Sequence, residues 1–244
     1  MSTEKPLFLS VVIPAYNEAG RISGTLHYIA KFLRTQHYLY EIMVVSDGST
    51  DDTAELVTSL HIPHCRLLSY PYNRGKGFAV NYGMTKAKGQ YRLFCDADNA
   101  TSFEQVQILL ELAKAKQTDV VIGSRHLNES TIMVQQSFTR RLAASLGNWL
   151  IQALLLPGIA DTQCGFKLFS AKVAEDVFAR QTIWGWGFDI EILYIAKLRG
   201  YSIKELQVHW MNKAGSRIQS PLVYVDTLFE LLRIKLKSML GRYR

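Results

Sequence analysis

The sequence has few cysteines and no long apolar stretch. Only three cysteines occur among its 244 residues, and Cys65, Cys95 and Cys164 lie far apart within apolar segments. This usage argues against a disulfide framework and is typical of a protein with reduced thiols, so we expect a cytoplasmic location. No apolar run reaches the roughly 18 residues that a membrane-spanning helix needs, and Met1 to Pro6 is too short and polar for a signal peptide. The sequence therefore predicts a chain that does not cross a membrane.

Acidic residues are outnumbered, and they are missing from the C-terminal end. The chain has 28 basic and 21 acidic residues, a formal charge of +7, and its last acidic residue is Glu230. Beyond it, basic and apolar residues alternate: Leu231, Leu232, Arg233, Ile234, Lys235, Leu236, Lys237, Met239, Leu240, Arg242 and Arg244. We expect residues 222–244 to form a basic amphipathic helix, which either lies on an anionic membrane surface or packs on the domain. No nucleic-acid recognition module is visible.

Apolar runs and helical periodicity alternate along the chain. The predicted strands are Leu7–Pro14, Glu41–Val45, Cys65–Leu68, Tyr91–Cys95, Asp119–Gly123, Cys164–Ser170 and Ile203–His209. The predicted helices include Asp51–Leu60, Gly77–Lys86, Phe138–Leu156, Ala171–Arg180 and Phe188–Arg199, with one more from Ile22 and one opened by a capping box at Ser102 and Gln105. This order predicts a single α/β domain over residues 1–244, with a mainly parallel sheet covered by helices on both faces.

Two carboxylates directly follow the predicted strand Tyr91–Cys95, in Asp96-Ala97-Asp98. Buried carboxylates are costly unless they are paired, and a divalent ion that neutralises a diphosphate is the simplest partner. By itself the motif is equally consistent with a solvated loop. Other polar clusters also follow predicted strands: Tyr16-Asn17-Glu18, Asp47-Gly48-Ser49, residues 73–77 and Gly123-Ser124-Arg125. Because ligands of parallel sheets bind at the carboxyl ends of the strands, this grouping favours a ligand site.

Several residues are candidates for binding anions or for acid–base chemistry. Residues 73–77, Asn-Arg-Gly-Lys-Gly, suit the close approach of an anion before a helix, although a plain turn fits as well. Arginine holds phosphate with two hydrogen bonds, so a second anionic partner is possible at Arg125, Arg140, Arg141 and Arg217. Asp161, ahead of a predicted strand, is a candidate catalytic acid. Asp189 and Glu191 begin the predicted helix Phe188–Arg199, where acids favour the helix dipole, so they are either catalytic or structural.

Taken together, the motifs resemble those of the inverting family 2 glycosyltransferases, which have the A-type (GT-A), Rossmann-like fold. The resemblance rests on residues 12–18, residues 46–51, residues 73–77, Asp96-Ala97-Asp98 and Gly123-Ser124-Arg125. The later motifs, residues 161–169 and 186–196, resemble the polyprenyl-phosphate branch that contains the dolichyl-phosphate β-glucosyltransferases. The resemblance runs from about Leu9 to the C-terminus.

The resemblance implies a nucleotide-sugar donor, with UDP-glucose favoured among UDP-hexoses, and a polyprenyl phosphate acceptor. The donor would be bound by Pro14, Tyr16, Glu18, Asp47, Lys76, Asp96, Ala97, Asp98 and Arg217. The acceptor phosphate would be bound by Arg125, Arg141 and Ser145, and the catalytic residues would be Asp98, Asp161 and Arg125. A Mg²⁺ or Mn²⁺ ion would be held by Asp96 and Asp98. Residues 7–125 would then form the donor half and residues 126–221 the acceptor half.

Three departures from the family pattern affect this interpretation. Ser46 stands where the family usually has an aspartate, which leaves nucleoside recognition to Asp47. Ala100 replaces a metal-binding glutamine of mannosyl relatives, which favours the glucosyl branch. No counterpart of the N-terminal membrane helix of the eukaryotic enzymes is present, so we expect surface helices to give access to lipid. The alternatives are a hydroxyl acceptor, with Asp161 or Asp189 as general base, and a non-catalytic nucleotide-sugar sensor.

Overall fold

The computed structural model describes residues 6–115, 117–125, 147–211 and 222–244, with side chains from residue 229 onward in the last range. Within these ranges the strands are β1 (Leu9–Ala15), β2 (Tyr40–Asp47), β3 (Cys65–Tyr70), β4 (Tyr91–Cys95), β5 (Val120–Ser124), β6 (Phe166–Ser170) and β7 (Ile203–Gln207). The helices are α1 (Ile22–Leu33), α2 (Thr53–Ser59), α3 (Lys76–Lys86), α4 (Val106–Ala115), α5 (residues 147–154), α6 (Ala171–Arg180), α7 (Phe188–Leu198) and α8 (Leu222–Met239). The predicted α/β fold is confirmed, and the first part of the predicted helix Phe138–Leu156 lies outside the described residues.

The described strands form one sheet in the order β3-β2-β1-β4-β6-β5-β7. All neighbouring strands are parallel except β6, which is antiparallel to both β4 and β5. Because β6 runs in the opposite direction, the chain enters it at the edge where β4 and β5 end. Residues 161–165, which lead into β6, are thereby brought to the carboxyl ends of the parallel strands.

Both faces of the sheet are covered by a hydrophobic core. Val12 and Phe94 point into the core that contains α3, α6 and α7, whereas Val11 and Leu93 point into the core that contains α1 and α4. Central parallel strands buried on both faces require continuous apolar runs, which is why β1 is buried at every position. None of the described helices combines the length and the apolar character that crossing a bilayer requires.

The capping box predicted at Ser102 and Gln105 does not form. The Ser102 hydroxyl donates to the Glu104 carboxylate at 2.5 Å, and residues 103–105 make a 3-10 turn ahead of α4. The Gln105 side chain instead exchanges two hydrogen bonds with the backbone of His209, at 2.8 and 3.2 Å. This exchange holds the segment after β7 beside the loop that follows β4, and it brings Trp210 to that edge of the sheet.

Candidate active site

The Asp96-Ala97-Asp98 loop lies at the end of β4 and is pinned from two neighbouring elements. The Thr25 hydroxyl of α1 donates to the Ala97 carbonyl at 2.8 Å, and the Asp96 amide donates to the Gly165 carbonyl at 3.0 Å. The Ala100 amide donates to Asp98 Oδ1 at 2.9 Å, which orients that carboxylate. A short loop fixed at its backbone can hold two carboxylates at a defined place.

Lys76 and Asp96, both predicted to bind the donor, form an ion pair. Lys76 Nζ at the start of α3 lies 2.6 Å from Asp96 Oδ1. Burial acts to lower the pKa of Lys76, but the carboxylates of Asp96 and Asp189 outweigh it and raise the pKa. A positively charged ammonium group therefore lies beside the D-x-D motif.

Gly165, just before β6, gives the Asp96 carboxylate its space. A Cβ atom at position 165 would overlap the carboxyl group of Asp96. Any larger residue would displace either the carboxylate or the start of β6. This glycine is the reason that two segments from distant parts of the chain can meet here.

Arg125, after β5, and Asp161, before β6, form a bidentate ion pair. Arg125 Nε lies 2.7 Å from Asp161 Oδ2 and Nη2 lies 2.9 Å from Oδ1, while the Arg125 amide also donates to Oδ2 at 3.0 Å. Asp161 is only 3% exposed, and its own amide donates to Glu205 at 2.9 Å. Burial would lower the pKa of Arg125, but its hydrogen bonds to Asp161 and the charge of that carboxylate raise it.

One pocket joins the two ion pairs. Its lining includes Asp96, Asp98, Ala100, Arg125, Gln163 and Trp210. The guanidinium carbon of Arg125 is 5.9 Å from the centre of the Trp210 ring. The predicted catalytic residues Asp98 and Arg125 thus line the same cavity, and Asp161 supports Arg125 from behind.

The loops after β1 and β2 are linked to each other. The Asn17 amide donates to Ser49 Oγ at 3.1 Å, and the Glu18 amide donates to Thr53 Oγ1 at 2.7 Å. Pro14 is buried within β1, and Tyr16 is half-buried at its end. The predicted nucleoside-binding residues of β1 therefore lie on a braced edge next to the β2 loop.

Asp47 holds the loop that carries Lys76. Its two carboxylate oxygens accept hydrogen bonds from the backbone amides of Arg74 and Gly75, at 2.7 and 3.0 Å. Asp47 is buried, and together with burial its carboxylate raises the pKa of the neighbouring Tyr70. The structure thus gives Asp47 a loop-holding contact in addition to the predicted nucleoside contact.

Sequence reasoning missed Arg21, at the start of α1. Arg21 Nη2 lies 2.9 Å from Glu18 Oε1, and this pairing is the main cause of a raised pKa at Arg21. Asp98 and Asp96 raise it further, so the guanidinium lies within electrostatic reach of the D-x-D motif. In the sequence, only the three-residue spacing of Glu18 and Arg21 indicated that the two side chains could form an ion pair.

The pair of Lys167 and Asp189 was also missed. Lys167 on β6 is completely buried, where Nζ contacts the Asp189 carboxylate and donates to the Cys164 carbonyl at 2.7 Å. Burial raises the pKa of Asp189, and the cations of Lys167 and Lys76 oppose that shift. A lysine inside the apolar run of β6 was the only sequence signal.

Three predicted residues, Arg141, Ser145 and Arg217, lie outside the described residues, as does Arg140. Among the described residues, no group of three or more His, Cys, Asp or Glu side chains is arranged to hold a metal ion. Asp96 and Asp98 supply two carboxylates, so a Mg²⁺ or Mn²⁺ ion would complete its oxygen shell with diphosphate and water, which suits both ions.

Comparison with known protein families gives one match that covers most of the chain. The model of "Glycosyl transferase family 2" matches residues 10–178. The dolichyl-phosphate β-glucosyltransferase of Dictyostelium discoideum is 36% identical over 98% of this chain and 77% of its own length. The enzyme of the same name from Saccharomyces cerevisiae is 33% identical over 99% of this chain and 78% of its own length.

Solved structures share the fold at low sequence identity. Mannosyl-3-phosphoglycerate synthase from Rubrobacter xylanophilus has a TM-score of 0.69 and 19% identity, covering 97% of this chain and 75% of its own. Glucosyl-3-phosphoglycerate synthase from Mycobacterium tuberculosis with UDP has a TM-score of 0.67 and 20% identity, covering 94% of this chain and 80% of its own. The same enzyme has been solved with Mn²⁺, UDP-glucose and phosphoglyceric acid; that structure has a TM-score of 0.65 and 20% identity, covering 97% of this chain and 80% of its own. These enzymes have the GT-A fold.

Proposed function

Since this chain belongs to glycosyl transferase family 2, we propose that it transfers glucose from UDP-glucose to dolichyl phosphate or another polyprenyl phosphate. The observation that carries the proposal is a pocket among the described residues that is lined both by the D-x-D carboxylates and by Arg125. The names of the relatives support glucose and dolichyl phosphate as the transferred sugar and the acceptor.

The first half of the chain, residues 7–125, is proposed to bind the donor. The uridine would lie against Pro14, Tyr16, Glu18 and Asp47 at the ends of β1 and β2, and Lys76 would bind the diphosphate. Any charge that develops on the departing diphosphate would be offset by a Mg²⁺ or Mn²⁺ ion held by Asp96 and Asp98. The structure of a neighbour with Mn²⁺ and UDP-glucose supports a divalent ion in this fold.

The acceptor phosphate is proposed to be its own nucleophile. A phosphate monoester has a second pKa of about 6, so at neutral pH it is mostly a dianion and needs no base. One of its oxygens attacks the anomeric carbon as the bond from that carbon to UDP breaks on the opposite face, which inverts the configuration. The Arg125 guanidinium donates two of its N–H groups to Asp161, and its remaining N–H groups can donate to the acceptor phosphate. Its proposed role is to hold the attacking phosphate oxygen in line with the bond that breaks.

The ion pairs favour this acceptor over a hydroxyl group. A hydroxyl acceptor needs a general base, and Asp161 and Asp189 were the predicted candidates. Asp161 is bound by Arg125 through two hydrogen bonds, and Asp189 contacts the ammonium group of Lys167. Both carboxylates are engaged by cations, and neither is among the residues that line the described pocket, so both acids suit positioning better than proton abstraction.

The helix α8 is proposed to dock on the cytoplasmic face of an anionic membrane. Leu231 and Ile234 pack into the core, so one face of α8 lies on the domain. The other face and the turn that follows it expose large apolar side chains: Phe229 (64%), Leu232 (55%), Leu236 (57%) and Met239 (77%) on the helix, and Leu240 (76%) just after it. The basic residues after Glu230 complement anionic head groups, and together the two features suit a bilayer surface on which the lipid acceptor resides.

Vesicle co-sedimentation tests the membrane proposal. The double variant Leu232→Glu, Leu236→Glu is expected to bind phosphatidylserine-containing vesicles at least tenfold more weakly. Each change removes apolar area that would be buried in the bilayer and adds a negative charge that the anionic head groups repel. Ile108→Glu is the matched control, because Ile108 is an exposed apolar residue on α4, which covers the opposite face of the sheet. Equal binding by wild type and the double variant would reject the proposal.

UDP release tests the proposed reaction. Wild type should release UDP from UDP-glucose faster when a short polyprenyl phosphate is added, and a chelator should stop the release. Asp98→Asn should lower the rate at least a hundredfold, since it removes a carboxylate that would hold the divalent ion at the diphosphate. Donor binding without any UDP release would instead indicate a sensor.

A further inference from the structure

Residues 181–187, here called the tryptophan segment, lie directly on the start of α3. The Gly77 amide donates to the Trp184 carbonyl at 2.9 Å, and Gln181 Nε2 donates to the Gly77 carbonyl at 2.9 Å. The Trp186 ring lies 5.8 Å from Lys76 Nζ. The tryptophan segment therefore borders the ammonium group that pairs with Asp96.

The tryptophan segment and the start of α3 are in close backbone contact. A Cβ atom at Gly75 would lie 2.5 Å from the Trp184 carbonyl oxygen, and one at Gly77 would lie 2.9 Å from the Ile183 carbonyl oxygen. Backbone thus meets backbone at both glycines. A shift of the tryptophan segment must shift the first turn of α3, and Lys76 with it.

Two carboxylates from other elements hold the tryptophan segment. Glu191 on α7 accepts hydrogen bonds from the Thr182 and Ile183 amides at 2.9 and 2.7 Å. Glu230 on α8 accepts a hydrogen bond from the Gly187 amide at 2.7 Å. Outside the turn that leads into α7 this segment has no regular secondary structure, so these carboxylates satisfy amides that a helix or strand would otherwise pair.

The glycines of the tryptophan segment match the position of Glu230. A Cβ atom at Gly185 would lie 2.7 Å from Glu230 Oε1, and one at Gly187 would lie 2.5 Å from Oε2. The Gly185-Trp186-Gly187 sequence thus leaves room for this carboxylate on both sides of Trp186. The fit is built into both partners, which are 43 residues apart.

We propose that Glu230 is a positioning residue for the donor site. From α8 it fixes the tryptophan segment, and through that segment the start of α3, so that Lys76 is held where the donor diphosphate binds. The identity of the donor rests on the proposed function. The position of Lys76 would then depend on the docking of the C-terminal helix.

Binding and kinetics of Glu230 variants test this role. Glu230→Ala should weaken UDP-glucose binding, measured by calorimetry, and raise the KM for UDP-glucose by about tenfold, the value expected for losing a hydrogen bond to a charged group. The KM for polyprenyl phosphate should stay within twofold of wild type, because Arg125 is held by Asp161 and not by the tryptophan segment. Glu230→Gln keeps an oxygen acceptor for the Gly187 amide and should restore donor binding to within about threefold.

Two further variants serve as an independent probe and a control. Gly187→Ala should reproduce the donor-binding defect with Glu230 intact, since its Cβ would displace the carboxylate. Glu111→Ala removes an exposed carboxylate from α4, on the opposite face of the sheet, and should bind UDP-glucose as wild type does.

The outcomes separate this inference from the proposed function. Wild-type binding by both Glu230→Ala and Gly187→Ala would overturn the inference and leave the proposed function intact. Equal rises in the KM for donor and acceptor would also overturn it, because they indicate a general loss of structure. If wild type itself binds no UDP-glucose, the proposed function fails and the inference fails with it.

Discussion

At the scale of the residue, the charged groups of the site act in pairs. Lys76 pairs with Asp96, Arg125 with Asp161 and Lys167 with Asp189. Sequence motifs indicated most of these residues singly but not as pairs, because the partners of the second pair lie 36 positions apart and no local spacing connects them. The motifs predict which residue types gather at the edge of the sheet, and only the fold decides which of them meet.

The pairing of Arg125 predicts that lysine cannot replace it. Arg125→Lys keeps the charge but loses the bidentate geometry to Asp161 and the remaining donors for phosphate. We expect a rise of at least tenfold in the KM for polyprenyl phosphate, measured by steady-state kinetics, with unchanged calorimetric binding of UDP-glucose. Arg66→Lys, at a more exposed ion pair with Glu41, is the control. An unchanged KM for polyprenyl phosphate in Arg125→Lys would show that Arg125 does not bind the acceptor phosphate.

The thiols are predicted to be unreactive while the protein is folded. Burial raises the pKa of Cys65 to about 11 and that of Cys164 to about 12, and it also raises the pKa of Cys95. At pH 8 little thiolate is present, so a disulfide reagent such as DTNB should react slowly with the native protein. In guanidinium chloride it should titrate all three cysteines, which are free thiols in the structure. Rapid reaction of one cysteine per native protein molecule with DTNB would contradict the raised thiol pKa values.

At the scale of the element, strands and helices follow the sequence closely, but the place of β6 does not. The buried apolar runs of β1 and β4 predict central strands because a parallel sheet is covered on both faces. Phe166–Ser170 has the same apolar character, and that pattern is compatible with either direction and with any central position. The insertion of β6 between β4 and β5 is therefore a tertiary result, and it is what brings Asp161 to Arg125.

The helix α6 is joined to its neighbours through Asp176. Its carboxylate accepts hydrogen bonds from Arg199 Nε and the Tyr201 hydroxyl, at 2.8 and 2.9 Å, and it also pairs with Arg180. Burial acts to raise the pKa of Asp176, but these hydrogen bonds and charges lower it below its ordinary 3.8. Asp176 thus links α6 to the end of α7 and to the approach to β7.

This lowered pKa predicts acid sensitivity. Because the folded pKa of Asp176 lies below the unfolded one, its stabilising contribution is complete above the unfolded value and is lost as the pH falls through the folded value. Urea unfolding should show a larger loss of stability from pH 6 to pH 3 in wild type than in Asp176→Asn. Equal losses in both proteins would show that Asp176 does not contribute to the pH dependence.

The C-terminal helix packs on the domain and also exposes large apolar side chains. Leu231 and Ile234 are buried against the domain, and Tyr243 at the chain end donates a hydrogen bond to Glu191 at 2.7 Å. Leu232 and Leu236 remain exposed on the other face. Periodicity alone predicted an amphipathic helix but not its second apolar face, because residue spacing does not say which apolar positions the domain covers.

At the scale of the whole molecule, one edge of the sheet gathers the ends of β1, β2, β4 and β5 with the start of β6. The motifs predicted this edge and the family, because ligand-binding residues cluster after parallel strands. They did not predict the bracing of the edge by Glu191 and Glu230, which come from helices remote in the sequence. This edge holds Lys76 and Arg125, the two cationic groups that the proposed function assigns to the donor and the acceptor.

The most direct measurement compares two acceptors that differ only in a phosphate group. Transfer of labelled glucose from UDP-glucose should be followed with a short polyprenyl phosphate and with the matching polyprenol, under the same divalent-ion and detergent conditions. The phosphate should be glucosylated and the alcohol should not, because the site offers Arg125 to an anion and holds Asp161 and Asp189 in ion pairs. Transfer to the alcohol at an equal or higher rate would contradict the proposed function.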